Sequence, residues 1–123
     1  MEMLFYTEVI LPQVESGNIV NVELQKPYIL QPKFTYKEKP IQPIKYVADF
    51  LIRYKDGSEV LFDVKGMADA TAKLKRKLFW YNYPDMDYRW VTRVQKYGGW
   101  LAYEDVEKIR KENIKNKKMK DVS

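Results

Sequence analysis

The sequence predicts an α/β layered domain built around a mixed sheet, and three stretches carry that prediction. Ile44 to Tyr54 and Glu59 to Lys65 are β-rich runs separated by Lys55-Asp56-Gly57-Ser58. An Asp-Gly between two such runs is a strong short-range hairpin signal. Within Asp69 to Tyr81, the residues Ala70, Leu74, Leu78 and Tyr81 recur at helical spacing, with lysines on the other faces. A charged helix from Tyr103 to about Lys118 carries Val106, Ile109 and Ile114 as its apolar markers.

Taken in chain order, residues 2–11 read as a short helix that ends or kinks at Pro12, because proline lacks the N–H that a helix interior needs. Ser16-Gly17-Asn18 is a turn signal. Ile19 to Leu24 alternates Ile19, Asn21 and Glu23 against Val20, Val22 and Leu24, a strand pattern. Pro27, Pro32, Pro40 and Pro43 punctuate the next stretch, which suits extended or edge-strand structure better than helix. After the hairpin and the helix over 69–81, Tyr88 to Val94 is a further strand and Gly98-Gly99 a turn. The predicted order is α-β-β-β-α-β-α around one mixed sheet. There is no internal repeat and no Gly/Ser linker. Residues 1–107 read as the domain and 108–123 as a basic C-terminal helix or tail.

Composition narrows the chemistry. A chain of 123 residues, 46% hydrophobic and 15% aromatic, is one domain's worth with material for a real core. There is no cysteine and no histidine. Disulfides, thiolate metal sites, zinc-hydrolase chemistry and Ser-His-Asp triads are therefore excluded. Any hydrolysis must rest on carboxylates, lysines and a hard, oxygen-seeking metal ion. No run approaches the ~18 consecutive apolar residues of a membrane span, and Met1-Glu2-Met3 does not resemble a secretion signal. A cytoplasmic protein with no membrane partner is expected. Against 17 acids stand 22 basic residues, a formal +5. From Lys108 to Lys120 seven basic residues face one acid, Glu112, a local excess of seven minus one, or +6. Lys73, Lys75, Arg76 and Lys77 form a second cluster. Such clusters suit a polyanion, although a basic tail also serves solubility alone.

The chemistry-bearing residues lie on the hairpin. Side chains alternate faces along a strand, so Asp49 shares a face with Val47, Leu51 and Arg53, and Asp63 with Leu61 and Lys65. A three-residue or bulged turn at Asp56-Gly57 sets Asp49 opposite Asp63, with Cβ atoms ~5 Å apart. A two-residue turn sets Asp49 against Val64 and parts the acids. Singly, each acid reads as an ordinary exposed strand charge, Asp49 pairing with Arg53. Their setting within Tyr46-Val47-Ala48-Asp49-Phe50-Leu51-Ile52 and after Val60-Leu61-Phe62 argues for a partner, since charges within apolar runs need one. Two facing carboxylates repel unless a cation lies between them, and Mg²⁺ takes such ligands.

Asp49 followed by Asp63-Val64-Lys65 after a hairpin resembles the core motif of the PD-(D/E)xK nuclease superfamily. The longer string Tyr46-Val47-Ala48-Asp49-Phe50, then Asp63-Val64-Lys65-Gly66-Met67, then Leu74-Lys75-Arg76-Lys77-Leu78-Phe79 looks like one branch of it. That branch comprises small phage and prophage proteins catalogued as a domain of unknown function. The likeness runs from residue 2 to about residue 115 and includes Gly98-Gly99-Trp100.

The resemblance implies a restriction-endonuclease-like αβββαβ core with an extra C-terminal helix, and phosphodiester hydrolysis dependent on Mg²⁺ or Mn²⁺. It gives Asp49 and Asp63 as metal ligands, Lys65 as the catalytic lysine, Glu2 as the acid of the first helix and Lys75 as the basic residue on the helix after the motif. The motif's second acid is Asp where Glu is commoner, and Glu2 stands at a helix end prone to fraying. Lys73, Lys75, Arg76, Lys77, Lys108, Arg110 and Lys111 are the expected DNA contacts, supplying affinity without reading sequence. Tyr81, Tyr83, Trp90, Trp100 and Tyr103 are either base-stacking platforms or, more often for such residues, core.

The expected function is a metal-dependent DNA endonuclease of phage or prophage type, resembling resolvases of Holliday junctions and acting on branched or recombination and repair DNA, in the host cytoplasm if phage-encoded. A homodimer fits, because a symmetric junction takes two cuts. The alternatives are a catalytically silent DNA-binding accessory protein, and a module that recruits phage or host replication or recombination proteins through its tail.

Overall fold

The computed structural model describes residues 1–122, and the side chains of residues 1–117. It is a mixed α/β fold with a five-stranded sheet and a C-terminal helix, compatible with a restriction-endonuclease-like core. The strands are β1 (Ile19–Gln31), β2 (Phe34–Tyr36), β3 (Lys39–Ile41), β4 (Ile44–Tyr54), β5 (Glu59–Val64), β6 (Asp87–Val94) and β7 (Gly99–Ala102). The main sheet runs β1-β4-β5-β6-β7, while β2 and β3 pair only with each other. All neighbours are antiparallel except β5 and β6, which are parallel. A parallel pair needs a crossover, and the helix Ala70–Asn82 supplies it. Asp63 therefore stands near the carboxyl end of β5, beside Trp90 of β6.

The β4–β5 turn takes the longer of the two forms open to the sequence. The Tyr54 N–H donates to Ser58 O at 2.8 Å and the Gly57 N–H to Tyr54 O at 2.9 Å, closing a three-residue loop. Gly57 sits at φ +89°, a conformation glycine adopts without steric cost. Asp56 Oδ1 accepts from the Ser58 N–H and hydroxyl. The ladder then runs from Arg53↔Glu59 to Phe50↔Phe62, and one step further puts Asp49 across from Asp63.

The N-terminal helix does not end at Pro12. It is built from Glu2–Phe5, a π turn at Tyr6–Ile10 and Leu11–Glu15. The Leu11 N–H reaches back to Tyr6 O, and this widened turn carries the chain past the missing proline donor. The helix buries Phe5 and Ile10 on one sheet face with Ile19, Phe50, Ile52, Val60 and Phe62. The opposite face packs Leu30, Tyr46, Ala48, Leu51, Leu61, Tyr88 and Trp90 under Phe79 and Tyr103.

The crossover helix starts where Asp69 caps the Ala72 N–H at 2.8 Å. Its buried side differs from the apolar stripe read in the sequence. Leu74 is 58% and Tyr81 84% exposed, whereas Phe79 is fully buried. The inward line runs through Ala72, Arg76, Phe79 and Tyr83. An arginine in that line hides its periodicity from a hydrophobic pattern. In the C-terminal helix Tyr103–Val122, Val106 is buried but Ile114 is exposed, so that marker points away from the core. The proline-rich stretch also resolves into more structure than expected. β1 continues through Pro27, tolerated because β1 is the sheet's edge, and Pro40 lies in the separate hairpin. Strand β7 follows directly on the Gly98-Gly99 turn.

Candidate functional site

Beyond Phe50↔Phe62 the ladder between β4 and β5 stops, and the two acids occupy the fork. Asp49 Oδ2 accepts the Val64 N–H at 2.8 Å, taking a donor that the ladder no longer pairs. Asp49 is 7% exposed and Asp63 3%. Burial first, and then the adjoining Asp63 carboxyl, push the Asp49 carboxyl up to about 7, while the Val64 N–H pulls the other way. Lys65 Nζ lies 2.8 Å from Asp63 Oδ2 and 5.4 Å from the centre of the Trp90 ring. That Asp63 oxygen is buried and receives no aligned hydrogen bond.

The alternation of faces along β4 breaks at this fork. Strict alternation would place Tyr46 and Ala48 with Phe50 and Ile52. Tyr46 and Ala48 instead pack with Leu51 under the crossover helix, while Phe50 and Ile52 face the N-terminal helix. The expectation that Asp49 simply shares a face with Val47, Leu51 and Arg53 is corrected accordingly: the strand rotates at Asp49. Across from it on β1, Gln25 sits at φ +54°, unusual for a residue with a Cβ. Its Nε2 reaches 3.5 Å from Asp49 Oδ1, a long contact. Nothing in the sequence singles Gln25 out, because its conformation is imposed by the paired strands.

A second unread element supports Asp63 from the core. The Trp90 Nε1–H donates to Tyr88 Oη at 2.6 Å, and the Tyr88 O–H donates to Tyr46 Oη. Burial, with the Asp63 charge added, pushes both phenols well above the usual tyrosine range. Both stay neutral hydrogen-bonding groups beside the carboxylate. Trp90 and Tyr103 are thus core residues, and the Tyr103 hydroxyl accepts the Ala68 N–H at 3.0 Å. Trp100 packs on Phe5 and Tyr83 on Phe79, which leaves Tyr81 exposed among the five candidate stacking residues.

Two clefts open beside the acids. One, of about 360 Å³, is lined by Glu2, Met3, Tyr6, Leu24, Gln25, Asp49 and Phe50. Glu2 is thereby brought to the same cleft as Asp49, and its charge adds to the pressure on that carboxyl. The other, of about 350 Å³, is basic: Lys45, Lys65 and Lys75 line it with Tyr46, Thr71 and Asp69. Lys45 is a residue the sequence reading missed, since an isolated lysine at the start of a strand carries no signal.

The mid-chain basic cluster separates. Lys75 joins Lys65 in the basic cleft. Arg76 turns inward, its guanidinium 3.9 Å from the Trp90 ring centre, 4.8 Å from that of Trp80 and 2.9 Å from Glu104. It ties the crossover helix to the C-terminal helix and is not presented as a phosphate contact. Lys73 pairs with Glu107 at 3.3 Å, and Lys77 is exposed. Lys108, Arg110 and Lys111 lie on the C-terminal helix and line neither cleft. The side chains of Lys118 and Lys120 lie outside the described residues.

Asp49 and Asp63 present neighbouring carboxylate oxygens of the kind that could hold a hard metal ion. Among the described residues no third acid stands close enough to complete a cluster of three. Among those residues, too, no helix is long and apolar enough to cross a membrane.

Comparison with known proteins returned no curated protein and no solved structure. A family model did match, the one described as "Protein of unknown function (DUF1064)", over residues 1–99, which include every residue lining the two clefts. The chain belongs to that family.

Proposed function

We propose that this protein is a metal-dependent DNA endonuclease of the PD-(D/E)xK type, with Asp49, Asp63 and Lys65 as its reacting groups. The observation that carries the reading is the buried fork. Two buried carboxyls meet there, the Asp49 group pushed up to about 7 by burial and by its neighbour, and the Asp63 group held 2.8 Å from the Lys65 ammonium. Burying like charges together is costly, and a divalent cation bound by both oxygens removes the cost. The donor set suits Mg²⁺ or Mn²⁺, with water and a substrate phosphate completing the shell. When bound, such an ion supplies Lewis-acid polarisation of a phosphate oxygen and a more acidic water.

The chain's own groups have distinct tasks. Asp49 and Asp63 hold the ion, Asp49 fixed by the Val64 N–H and Asp63 backed by the Tyr46–Tyr88–Trp90 relay. Lys65 offsets charge building on the phosphate and orients the attacking water. Lys45 and Lys75 draw the neighbouring phosphates into the basic cleft. Glu2 is the further acid at the Asp49 cleft. The resemblance to phage and prophage nucleases supports branched or recombination DNA in the cytoplasm as the substrate, and a homodimer that makes paired cuts.

A catalytically silent DNA-binding protein is the second reading, favoured because among the described residues no three acids cluster closely enough to hold a metal ion. Incubating the protein with duplex, single strand, flap, fork and four-way junction in Mg²⁺, Mn²⁺ or EDTA decides between them. Metal-dependent cleavage that vanishes in Asp63→Ala, with binding retained, is the expected result. Binding to these DNAs with no cleavage under any condition supports the silent protein.

A further inference from the structure

We infer that the separate hairpin β2–β3 is a duplex-binding ribbon that grips a nucleic-acid groove beside the basic cleft. The inference rests on the reading of that cleft as DNA-facing. The hairpin lies between Pro32 and Pro43 and pairs only with itself, through Phe34↔Ile41, Thr35↔Pro40 and Tyr36↔Lys39. An isolated two-stranded hairpin buries little and is marginal by itself, so folding stability gives no reason to display one. Cross-strand partners share a face, so Phe34, Tyr36, Lys39 and Ile41 stand together. Phe34 and Tyr36 are exposed, and the Lys37 ammonium hangs 5.5 Å over the Tyr36 ring.

The tip is strained in a telling way. Lys37 and Glu38 form the two-residue turn with φ of +46° and +67°. That geometry favours Asn-Gly, and residues with long side chains adopt it at a cost. Strain of this kind is retained where a side chain at the tip has work to do. The charge points to the partner. Lys33, Lys37 and Lys39 against Glu38 leave the hairpin at three minus one, or +2. Its chain runs on through Ile44 into Lys45, which lines the cleft with Lys65 and Lys75. A two-stranded ribbon has the width that a B-DNA major groove admits, and lysines with aromatic side chains suit phosphates and groove walls.

The test measures binding of the full chain to a labelled blunt duplex and to the matching single strand, in EDTA, across a salt series. The variant is Lys33→Ala/Lys37→Ala/Lys39→Ala, with Tyr36→Ala as a separate probe and circular dichroism to verify folding. Each duplex phosphate neutralised contributes about 0.9 to the slope of log affinity against log salt. The triple variant should therefore lose roughly 2 to 3 from the slope and at least about tenfold in duplex affinity near 0.1 M salt. Tyr36→Ala should weaken duplex binding with the slope unchanged. Unaltered duplex affinity and slope in the triple variant overturn the inference, and so does an equal loss for single strand and duplex. A parallel Mg²⁺ reaction with the wild type reads the nuclease proposal independently. Hairpin-dependent binding without cleavage sinks that proposal alone, while cleavage with hairpin-independent binding sinks the ribbon alone.

Discussion

Replacing Asp49 by Asn should change how stability depends on pH, and the structure fixes the sign. The Asp49 carboxyl is raised from 3.8 to about 7, because it is buried against a second acid. The folded chain therefore keeps a proton that the unfolded chain has released. The associated stability is fully present below about pH 4 and is lost as pH rises through about 7. About two of those three units fall between pH 5 and pH 8, which at ~1.4 kcal/mol per unit is ~3 kcal/mol. The carboxyl lines an open cleft, so roughly half of that, ~1.5 kcal/mol, is a fairer figure. An unfolding entropy of ~2.1 cal/mol/K per residue makes 1 kcal/mol worth ~4 °C for a chain of this length. Asn is close to isosteric, still accepts the Val64 N–H and does not titrate.

Thermal melts in chelator at fixed ionic strength measure the effect. Relative to Asp49→Asn, the wild type should lose roughly 6 °C in Tm between about pH 5 and pH 8. Millimolar Mg²⁺ at the higher pH should restore the wild type and leave the variant unmoved, since only the wild type presents two charged ligands. Parallel Tm–pH profiles for the two proteins would refute the claim that burial beside Asp63 raises the Asp49 carboxyl.

Three further outcomes are expected. Lys65→Ala should lower cleavage by at least about a hundredfold while DNA binding falls far less, because its ammonium stands 2.8 Å from Asp63 and the proposed mechanism places it at the reacting phosphate; comparison of single-turnover rate with affinity separates the two. Arg76→Ala should cost about 2–3 kcal/mol by denaturant titration, since it strips a largely buried guanidinium from Trp90 and Glu104, whereas Lys77→Ala should cost less than about 0.5 kcal/mol. Gln25→Gly should leave stability within about 1 kcal/mol, relief of the positive φ offsetting the lost contact, yet reduce the cleavage rate by loosening Asp49; an unchanged rate means that Gln25 does not position the carboxylate.

Much of the framework was legible in local chemistry. Asp56-Gly57 announced the hairpin, and the three-residue loop it forms sets the register that joins Asp49 to Asp63. The helix after Asp69 and the edge character of the proline-bearing strand were legible for the same reason: capping and missing donors act over a few residues. Pattern failed where a residue's role depended on distant partners. Arg76 looked like a phosphate ligand because lysines flank it, but Trp90 and Glu104, far along the chain, draw it inward beside Trp80. Lys37-Glu38 does not look like a hairpin turn, and Pro12 looks like a helix end or kink until the π turn shows the helix carried past it.

By itself, then, the sequence determined the kinds of element, the hairpin that carries the two acids and the want of any thiolate or imidazole. Those follow from short-range sterics, alternation and composition. Only the tertiary structure decided that β4 rotates at Asp49, that Gln25 and the Tyr46–Tyr88–Trp90 relay stand around the acids, and that Lys75 and Lys45 reach the cleft while Arg76 does not. These depend on which strands diverge and which faces meet, and no local window of residues contains that information.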